Sequence, residues 1–526
     1  MPLALMGMPA ARLRAVLSFG CLAAPWLYPF ARGPSTAVEP WLFSIAAASL
    51  LLAVHALMPT PSDQPGSGSF KTTWLRRAAC AWLAAAAIST VLALIQYAGF
   101  ADAAASWVSS APAGEAFANL RQRNQFASLT AIGIAAILFL PPRSLSLVGA
   151  SGLMALLAMG MAATTSRTGL AQLLLLLVLA HRWRSAAAAR RATLLCSAVG
   201  AYALSSLVLP WLLELWTGVA GPSLWGRVAF SDPCSSRRVL WSNVAHLITL
   251  KPWTGWGAGE LDFAHYSTLY EGARFCDILD NAHNLPLQLA FAGGIPMALL
   301  VCGLFVGWVV KAAPWRERYP SRQFGWAVLA LILLHSMVEY PLWYGPFQLA
   351  SAACVLALWR RPDASPDSTP PAGWLAERRA CGSIAAIATA AIAYAAWDYH
   401  RISQIYLRPE ERAAAYRIDP AGKAGDSWLF ASHVQFAELT TTDMARANAS
   451  WMFDVSQAML HFSPEPSVIE KVVESAVALG RVDDARLHLA RFKAAFPREH
   501  ARWSAALRAR AADQDTPEQS VVAETP

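Results

Sequence analysis

The sequence is poor in charged residues. Only 14% of its 526 residues are Asp, Glu, Lys or Arg, whereas soluble domains carry about a quarter. Because 56% of the residues are apolar, a soluble protein is excluded for most of the chain. The formal charge of +8 comes from basic residues scattered among short loops, so the sequence does not predict nucleic-acid binding.

Cysteine is also scarce, and no spacing of Cys and His residues matches a zinc site. The sequence therefore predicts neither a metal nor a cofactor. Six of the eight cysteines fall in apolar runs. The other two, Cys234 and Cys276, lie in a long polar stretch where an oxidising compartment would permit a disulfide. Whether they form that bridge stays open at this point.

Eleven apolar runs approach the length that crosses a hydrocarbon layer of about 30 Å. They lie near 13–31, 40–58, 78–100, 125–141, 146–164, 168–182, 194–216, 286–311, 324–340, 344–360 and 381–399. Basic residues concentrate in alternate loops, as the positive-inside rule predicts for a cytoplasmic N-terminus. We therefore expect an all-α, polytopic membrane protein of about eleven transmembrane helices.

Five regions follow from this topology. They are an N-terminal transmembrane bundle (1–216), an extracytoplasmic loop (217–285), a second transmembrane bundle (286–399), an extracytoplasmic helical domain (400–512) and a disordered tail (513–526). Residues 468–496 predict two amphipathic helices joined at Gly480 and closed by Pro497, which is typical of one tetratricopeptide-type hairpin. The tail is acidic and poor in apolar residues, which predicts disorder.

His283 stands where the extracytoplasmic loop re-enters the membrane, between Asn281 and Asn284. Polar side chains are costly to desolvate at this depth, which favours a functional role. The alternative is that Asn281 or Asn284 caps the next helix and that His283 is incidental.

Arginines are a second feature of the predicted outer side. Arg121 and Arg123 flank Gln122 and precede Asn124, and Arg167 lies in a short polar break. These arginines either anchor at lipid phosphates and snorkel or turn inward to bind a diphosphate bidentately. Arg237 and Arg238 begin a segment that resembles an interfacial amphipathic helix.

Glu339 and Tyr340 mark a third feature, at the outer end of a span that Pro341 breaks, and Tyr344 follows. An acid at membrane depth is normally paired, so Glu339 either pairs with an arginine or has a direct role. Residues 252–259 contain three alternating glycines that echo a nucleotide-binding loop. No strand precedes them and no Lys-Ser/Thr follows, so a flexible or tight-turned loop is favoured.

Together these groups place arginines, one histidine and one carboxylate on the same side of the membrane. Arginines would neutralise a pyrophosphate leaving group, a task otherwise given to a divalent cation. A neutral histidine would take the proton of an acceptor hydroxyl. This chemistry is glycosyl transfer from a polyprenyl-diphosphate sugar.

On these residues the chain resembles the bacterial O-antigen ligase/polymerase superfamily. The resemblance rests on Ala282-His283-Asn284-Leu285-Pro-Leu-Gln288 with the trailing Gly-Gly-Ile, on Arg237-x-x-x-Trp241 and on the segment from Lys251 to Gly259. Residues 121–127, residues 339–344 and the additional C-terminal region further resemble the O-linked protein oligosaccharyltransferases of the pilin-glycosylation type.

The resemblance implies a GT-C-like protein of the bacterial inner membrane whose active site faces the periplasm. It implies a metal-independent, inverting transfer of a glycan from undecaprenyl diphosphate to Ser or Thr of periplasmic or pilin proteins. His283 would be the catalytic residue, either as a base or as a group that orients the acceptor. The diphosphate would be held by Arg167 and Arg237, with Arg238, Arg121 and Arg123 as further candidates. The glycan and acceptor would be bound by Gln122, Asn124, Asn284, Glu339, Tyr340 and Tyr344.

The implied partners are the lipid-linked oligosaccharide, an acceptor protein and the lipid bilayer. A first alternative keeps the donor and changes the acceptor, as in ligation of O-antigen to the lipid A core or in O-antigen polymerisation. A second alternative is a transporter for the lipid-linked glycan. A transporter predicts internal repeats and charges near the middle of the bilayer, and the sequence shows no repeat and places its polar groups at one surface.

Overall fold

The computed structural model describes residues 9–31, 33–58, 70–183, 188–221, 233–359 and 374–514. Within these ranges no β-strand is present, which confirms the all-α prediction. The helices in chain order are α1 (Ala10–Leu27), α2 (Val38–Leu57), α3 (Phe70–Tyr97), α4 (Arg123–Phe139), α5 (Leu147–Ala163), α6 (Arg167–Arg182), α7 (Ala188–Thr217), α8 (Arg237–Leu250), α9 (Leu261–Ser267), α10 (Leu285–Ala312), α11 (Pro320–Ser336), α12 (Gly345–Trp359), α13 (Trp374–Ser403), α14 (Pro420–Ala424), α15 (Ala431–Thr441), α16 (Ala449–Met459), α17 (Pro466–Ala478), α18 (Val482–Ala495) and α19 (Pro497–Gln514).

The chain divides into two compact units. Unit 1 contains residues 1–230 and 306–397, and unit 2 contains residues 231–305 and 398–526. The predicted extracytoplasmic loop, from residue 231 onward, and the predicted C-terminal domain therefore belong to the same unit. The predicted disordered tail lies, from residue 515, outside the described residues.

Each of the eleven apolar runs coincides with a helix, α1–α7 or α10–α13. Five helices within the described residues are long and apolar enough to cross a membrane: Val38–Leu57, Trp74–Tyr97, Ala188–Thr217, Leu285–Arg316 and Leu375–Tyr406. In α7, Leu207 and Trp216 are 76% and 72% exposed, an apolar surface suited to lipid contact. The chain is a multi-pass helical membrane protein, and the number of eleven spans stays a prediction.

Helix α4 is the centre of the core of unit 1. All its residues from Gln125 to Phe139 are buried, and α3, α5, α6 and α11 pack against it. Glycines permit this close packing, as is common among membrane helices. A Cβ on Gly133 would lie 2.8 Å from Ala86 Cβ, and a Cβ on Gly169 would lie 2.9 Å from Ala127 Cβ.

Helix α10 is broken close to its start. Gly294 has φ +82° and ψ 168°, a conformation that is essentially restricted to glycine. The carbonyls of Phe291 and Ala292 would normally accept from residues 295 and 296. The break turns the N–H of Ile295 away from the Phe291 carbonyl, and Pro296 has no N–H to donate to the Ala292 carbonyl. Both carbonyls therefore need other donors, because buried backbone groups are costly to leave unpaired.

The loop 252–257 of unit 2 supplies the missing partners. The hydrogen bonds run from Trp256 N to Phe291 O (2.8 Å), from Gly257 N to Ala292 O (3.1 Å) and from Ile295 N to Pro252 O (2.8 Å). Gly255, with φ +69°, allows the approach, since a Cβ there would lie 2.5 Å from Ala292 O. The glycine-rich segment is thus a tight-turned loop that completes the broken helix.

The C-terminal helices of unit 2 enclose part of the extracytoplasmic loop. Tyr266 of α9 is 2% exposed, and its hydroxyl lies 2.9 Å from His488 Nδ1 of α18. The predicted hairpin is confirmed: α17 and α18 meet at Gly480, whose φ is +70°, and Pro497 begins α19. Side chains on this hairpin, such as Phe492, form a core with Tyr266.

The helix break predicts a strict requirement for glycine at position 294. Gly294→Ala would put a Cβ 2.3 Å from Trp253 O at an unfavourable φ, so we expect a loss of about 3 kcal/mol of stability. Gly303→Ala is the matched control, because a Cβ there meets nothing within 4 Å. Thermal unfolding in detergent measures both variants. Equal melting temperatures of Gly294→Ala and Gly303→Ala would contradict the requirement for glycine at the helix break.

Candidate active site

His283 lies just before α10 in a left-handed backbone conformation, with φ +49°. This conformation is uncommon for a residue other than glycine. The backbone N–H of His283 donates to Asn281 Oδ1 at 2.9 Å, which is the local hydrogen bond of an Asx-turn. The His283 side chain is half-buried. Asn281 therefore fixes the backbone geometry of His283.

The peptide before His283 is held from both sides. Ala282 N donates to Gln288 Oε1 at 2.8 Å, one turn into α10. Ala282 O accepts from Trp241 Nε1 of α8 at 3.1 Å. These two side chains connect the His283 motif to two different helices of unit 2.

Asn284 caps α10. Its Oδ1 accepts from Leu287 N at 3.1 Å, as expected of an N-cap residue. Of the two asparagines, Asn284 is thus the one that caps α10, and the role of His283 stays a prediction. His283 stands beside this cap, at the positive end of the α10 peptide dipoles.

Helix α8 carries Arg237 on the same face as Trp241, because residues four apart lie on one side of a helix. Since Trp241 contacts the peptide before His283, Arg237 lies on the side of α8 that faces the motif. Arg237 is half-buried, whereas Arg238 is exposed. Ser236 caps the helix, and the N–H groups of the first turn with the two guanidinium groups favour an anion there.

A disulfide joins Cys234 to Cys276, with a Cα–Cα distance of 5.5 Å. It ties the start of α8 to the segment after α9. Asn243 holds the same segment, since its Oδ1 accepts from Phe275 N at 2.8 Å. A bridge across 42 residues stabilises by about 4 kcal/mol in the chain-entropy account.

In unit 1, Asn124 links three of the predicted polar groups. Its Oδ1 accepts from Ser166 Oγ at 2.6 Å, and its Nδ2 donates to Glu339 Oε1 at 3.4 Å. Ser166 precedes Arg167, and Glu339 precedes Tyr340. The structure therefore gathers, within unit 1, side chains that the sequence placed only on a common side of the membrane.

A small pocket, partly open to solvent, lies in the same region of unit 1. It is lined by Gln122, Gln125, His335, Glu339, Tyr340 and Tyr344 among others. The rings of Tyr340 and Tyr344 stack, with centroids 5.8 Å apart. Gln122 caps α4 by accepting from Gln125 N at 2.7 Å. Four candidate glycan or acceptor residues thus line one pocket.

The three candidate arginines of unit 1 have different surroundings. Arg123 pairs with Glu115 at 3.1 Å, and Arg121 donates to Pro29 O. Arg167 is exposed at the start of α6, and it has no hydrogen-bond or ion-pair partner among the described residues. Of the three, Arg167 is the one whose guanidinium is available to a ligand.

Sequence reasoning missed a buried polar cluster beneath this pocket. Ser128 Oγ lies 2.9 Å from His335 Nδ1 and 2.8 Å from Gln172 Nε2, and all three residues are fully buried. The signal was a glutamine inside the apolar run of α6, because such a side chain must find a partner. In the part of the chain that the structure describes, no three His, Cys, Asp or Glu residues are grouped as metal ligands.

A second small cleft lies in unit 2. Its lining includes Asp262, His265, Tyr266, Arg274, Phe275 and Phe496. His265 donates through Nε2 to Phe275 O (3.0 Å) and contacts Tyr270 through Nδ1 (2.9 Å). Burial, then the Arg274 charge, lowers the pKa of His265 to about 3. Burial raises the pKa of Asp262 to about 7, so this carboxyl is the group that titrates near neutrality.

Three family models match separate parts of the chain. The model described as O-Antigen ligase matches residues 152–302, which contain His283. The model described as Protein glycosylation ligase matches residues 116–140, which contain Gln122. The model described as Virulence factor membrane-bound polymerase, C-terminal, matches residues 323–511. A comparison with curated proteins finds no match.

The buried Asp262 carboxyl predicts a dependence of stability on pH. Its pKa rises from 3.8 to about 7 on folding, so it removes stability progressively as the pH increases from about 4 to about 7. We expect Asp262→Asn to have a higher melting temperature than the wild type at pH 8 and the same one at pH 3.5. Asp454→Asn, at an exposed position, is the control. A melting-temperature difference between Asp262→Asn and wild type that is the same at every pH would contradict this prediction.

Proposed function

Since the chain belongs to the superfamily of O-antigen ligases and protein glycosylation ligases, we propose that it transfers a glycan from undecaprenyl diphosphate to Ser or Thr hydroxyls of periplasmic or pilin proteins. The ligase matches support a glycosyl-transferring enzyme. The undecaprenyl donor, the protein acceptor and the inner-membrane location are parts of the proposal.

One observation carries the choice of a protein acceptor. The match to the protein glycosylation ligase model covers residues 116–140, and two side chains of that stretch, Gln122 and Gln125, line the pocket of unit 1. The features matched to protein glycosylation are therefore part of a pocket that also contains Glu339, Tyr340 and Tyr344.

In the proposed reaction, the acceptor oxygen attacks the anomeric carbon of the first sugar. The bond from that carbon to the diphosphate oxygen breaks in the same step, so the configuration inverts. The hydroxyl proton passes to His283, and undecaprenyl diphosphate leaves with an additional negative charge. The clamped backbone of His283 supports this role, because a proton acceptor must be held within hydrogen-bond reach of its target.

Guanidinium groups stabilise the leaving diphosphate in this proposal, because they match its paired oxygens with parallel N–H donors. Arg167 and Arg237 are the preferred ligands. The open position of Arg167 and the capped helix start that bears Arg237 support this choice. Arg238, Arg121 and Arg123 are secondary candidates, since two of them already have protein partners.

A second candidate function is O-antigen ligation to the lipid A core, or O-antigen polymerisation. The match of the O-antigen ligase model to residues 152–302 favours it, because this stretch is longer than the one matched by the protein glycosylation model. Donor and chemistry are the same in both candidates, and only the acceptor hydroxyl differs. A transporter of the lipid-linked glycan would leave the glycan on its lipid.

His283→Ala tests the proposed chemistry. The variant would be expressed in a glycan-producing host that lacks its own ligases, together with a Ser-rich acceptor protein. Loss of a positioned proton acceptor costs about 100-fold or more in rate, so we expect glycosylated acceptor to fall by at least that factor. His246→Ala, an exposed histidine of α8, should transfer glycan like the wild type.

The pattern of products separates the candidates. Glycosylated acceptor protein, formed by wild type also after extraction of divalent cations with EDTA, supports protein glycosylation. Glycan found only on the lipid A core, or only as longer polymers, would contradict it in favour of the second candidate. Full transfer by His283→Ala at normal membrane abundance would exclude His283 from proton transfer.

A further inference from the structure

The cluster beneath the pocket of unit 1 contains a histidine whose protonation pattern follows from its neighbours. Ser128, Gln172 and His335 are 0% exposed, and Gln125 is 2% exposed. They come from three helices, α4, α6 and α11. Polar side chains placed this deeply among membrane helices must have partners or a ligand.

The single hydroxyl proton of Ser128 decides the arrangement. Ser128 Oγ lies 2.9 Å from the carbonyl oxygen of Asn124, and two oxygens at that distance need a proton between them. Ser128 Oγ must therefore accept from its other two neighbours. Gln172 Nε2 donates to it at 2.8 Å, and His335 Nδ1 lies 2.9 Å away.

It follows that His335 carries its proton on Nδ1. In the neutral ring, Nε2 is then a hydrogen-bond acceptor. His335 Nε2 is buried and has no hydrogen-bond partner among the described residues, and the same holds for Gln125 Oε1. Both side chains line the small pocket of unit 1, whereas Ser128 does not. The ring therefore binds Ser128 through Nδ1, and Nε2 is the acceptor that remains for a ligand.

The chemistry of the pocket selects its ligand. His335 Nε2, Gln125 Oε1 and the Glu339 carboxylate are all acceptors, so a ligand must bring hydrogen-bond donors. A phosphate would be repelled by the Glu339 carboxylate, and the lining residues of this pocket include no Lys or Arg to bind it. A sugar ring brings several O–H or N–H donors, and its C–H faces can pack on the stacked rings of Tyr340 and Tyr344.

We propose that His335 Nε2 and Gln125 Oε1 bind one sugar residue of the transferred glycan by accepting hydrogen bonds from its hydroxyl or amide groups. Ser128 and Gln172 act as positioning residues that keep the Nε2 lone pair directed to the sugar. This subsite rests on the proposed function for the identity of its ligand. It assigns His335 to glycan binding, while His283 keeps the proton transfer.

Transfer kinetics with lipid-linked oligosaccharide extracted from the host test the subsite. His335→Phe and Gln125→Met each remove one acceptor, so we expect the KM for this donor to rise about 3- to 10-fold, with kcat within about twofold of wild type. Gln125→Glu keeps an acceptor oxygen and should raise the KM less than Gln125→Met does. His181→Phe, at an exposed position of α6, is the control. Unchanged KM values, or a lower kcat alone, would overturn the subsite.

The tautomer provides a readout that does not depend on transfer. In ¹⁵N-histidine-labelled protein, the His335 signal, identified by its loss in His335→Phe, should show a proton on Nδ1. The unprotonated nitrogen should shift when the lipid-linked oligosaccharide is added, and Ser128→Ala should weaken the Nδ1 preference. If wild type transfers no glycan but this shift occurs, the proposed function fails and the subsite stands. A proton on Nε2, or no shift, would overturn the subsite.

Discussion

The broken helix α10 is the constraint on which the candidate active site depends. Backbone groups that lose their helical partners near a membrane must be satisfied within the protein, and the loop 252–257 provides a partner for each of the three groups at the break. The start of α10, which bears the capping Asn284, is therefore held by this loop and not by the rest of its own helix. The loop thus supports the turns of α10 that follow the peptide carrying His283.

The surroundings of His283 consist largely of backbone hydrogen bonds. Asn281, Gln288 and Trp241 each bind a main-chain atom of the motif, and the disulfide fixes the start of the helix that carries Trp241. Groups held in place before the substrate arrives need no reorganisation during the reaction, which is how electrostatic preorganisation accelerates a chemical step. The unit 1 pocket follows the same rule, since Ser128 binds Nδ1 of the fully buried His335.

Hydropathy and turn residues were sufficient to predict every apolar helix and the hairpin around Gly480, because both depend on local sequence. The contact between Tyr266 and His488 joins residues 222 positions apart, so two segments that look separate in the sequence form one unit. The proton on His335 Nδ1 also lay beyond sequence reasoning, since it depends on Ser128 of another helix. The polar residues themselves were visible, but their partners were not.

The stereochemistry of the product tests the central claim most directly, namely single-step transfer of a glycan from a diphosphate to a hydroxyl. Purified protein would be incubated with lipid-linked oligosaccharide and acceptor, and NMR would give the anomeric configuration of the first sugar before and after transfer. The account predicts inversion, so that an α-linked diphosphate sugar becomes a β-linked glycoside. Retention of configuration would contradict it, because retention requires a glycosyl-enzyme intermediate that the proposed role of His283 does not include.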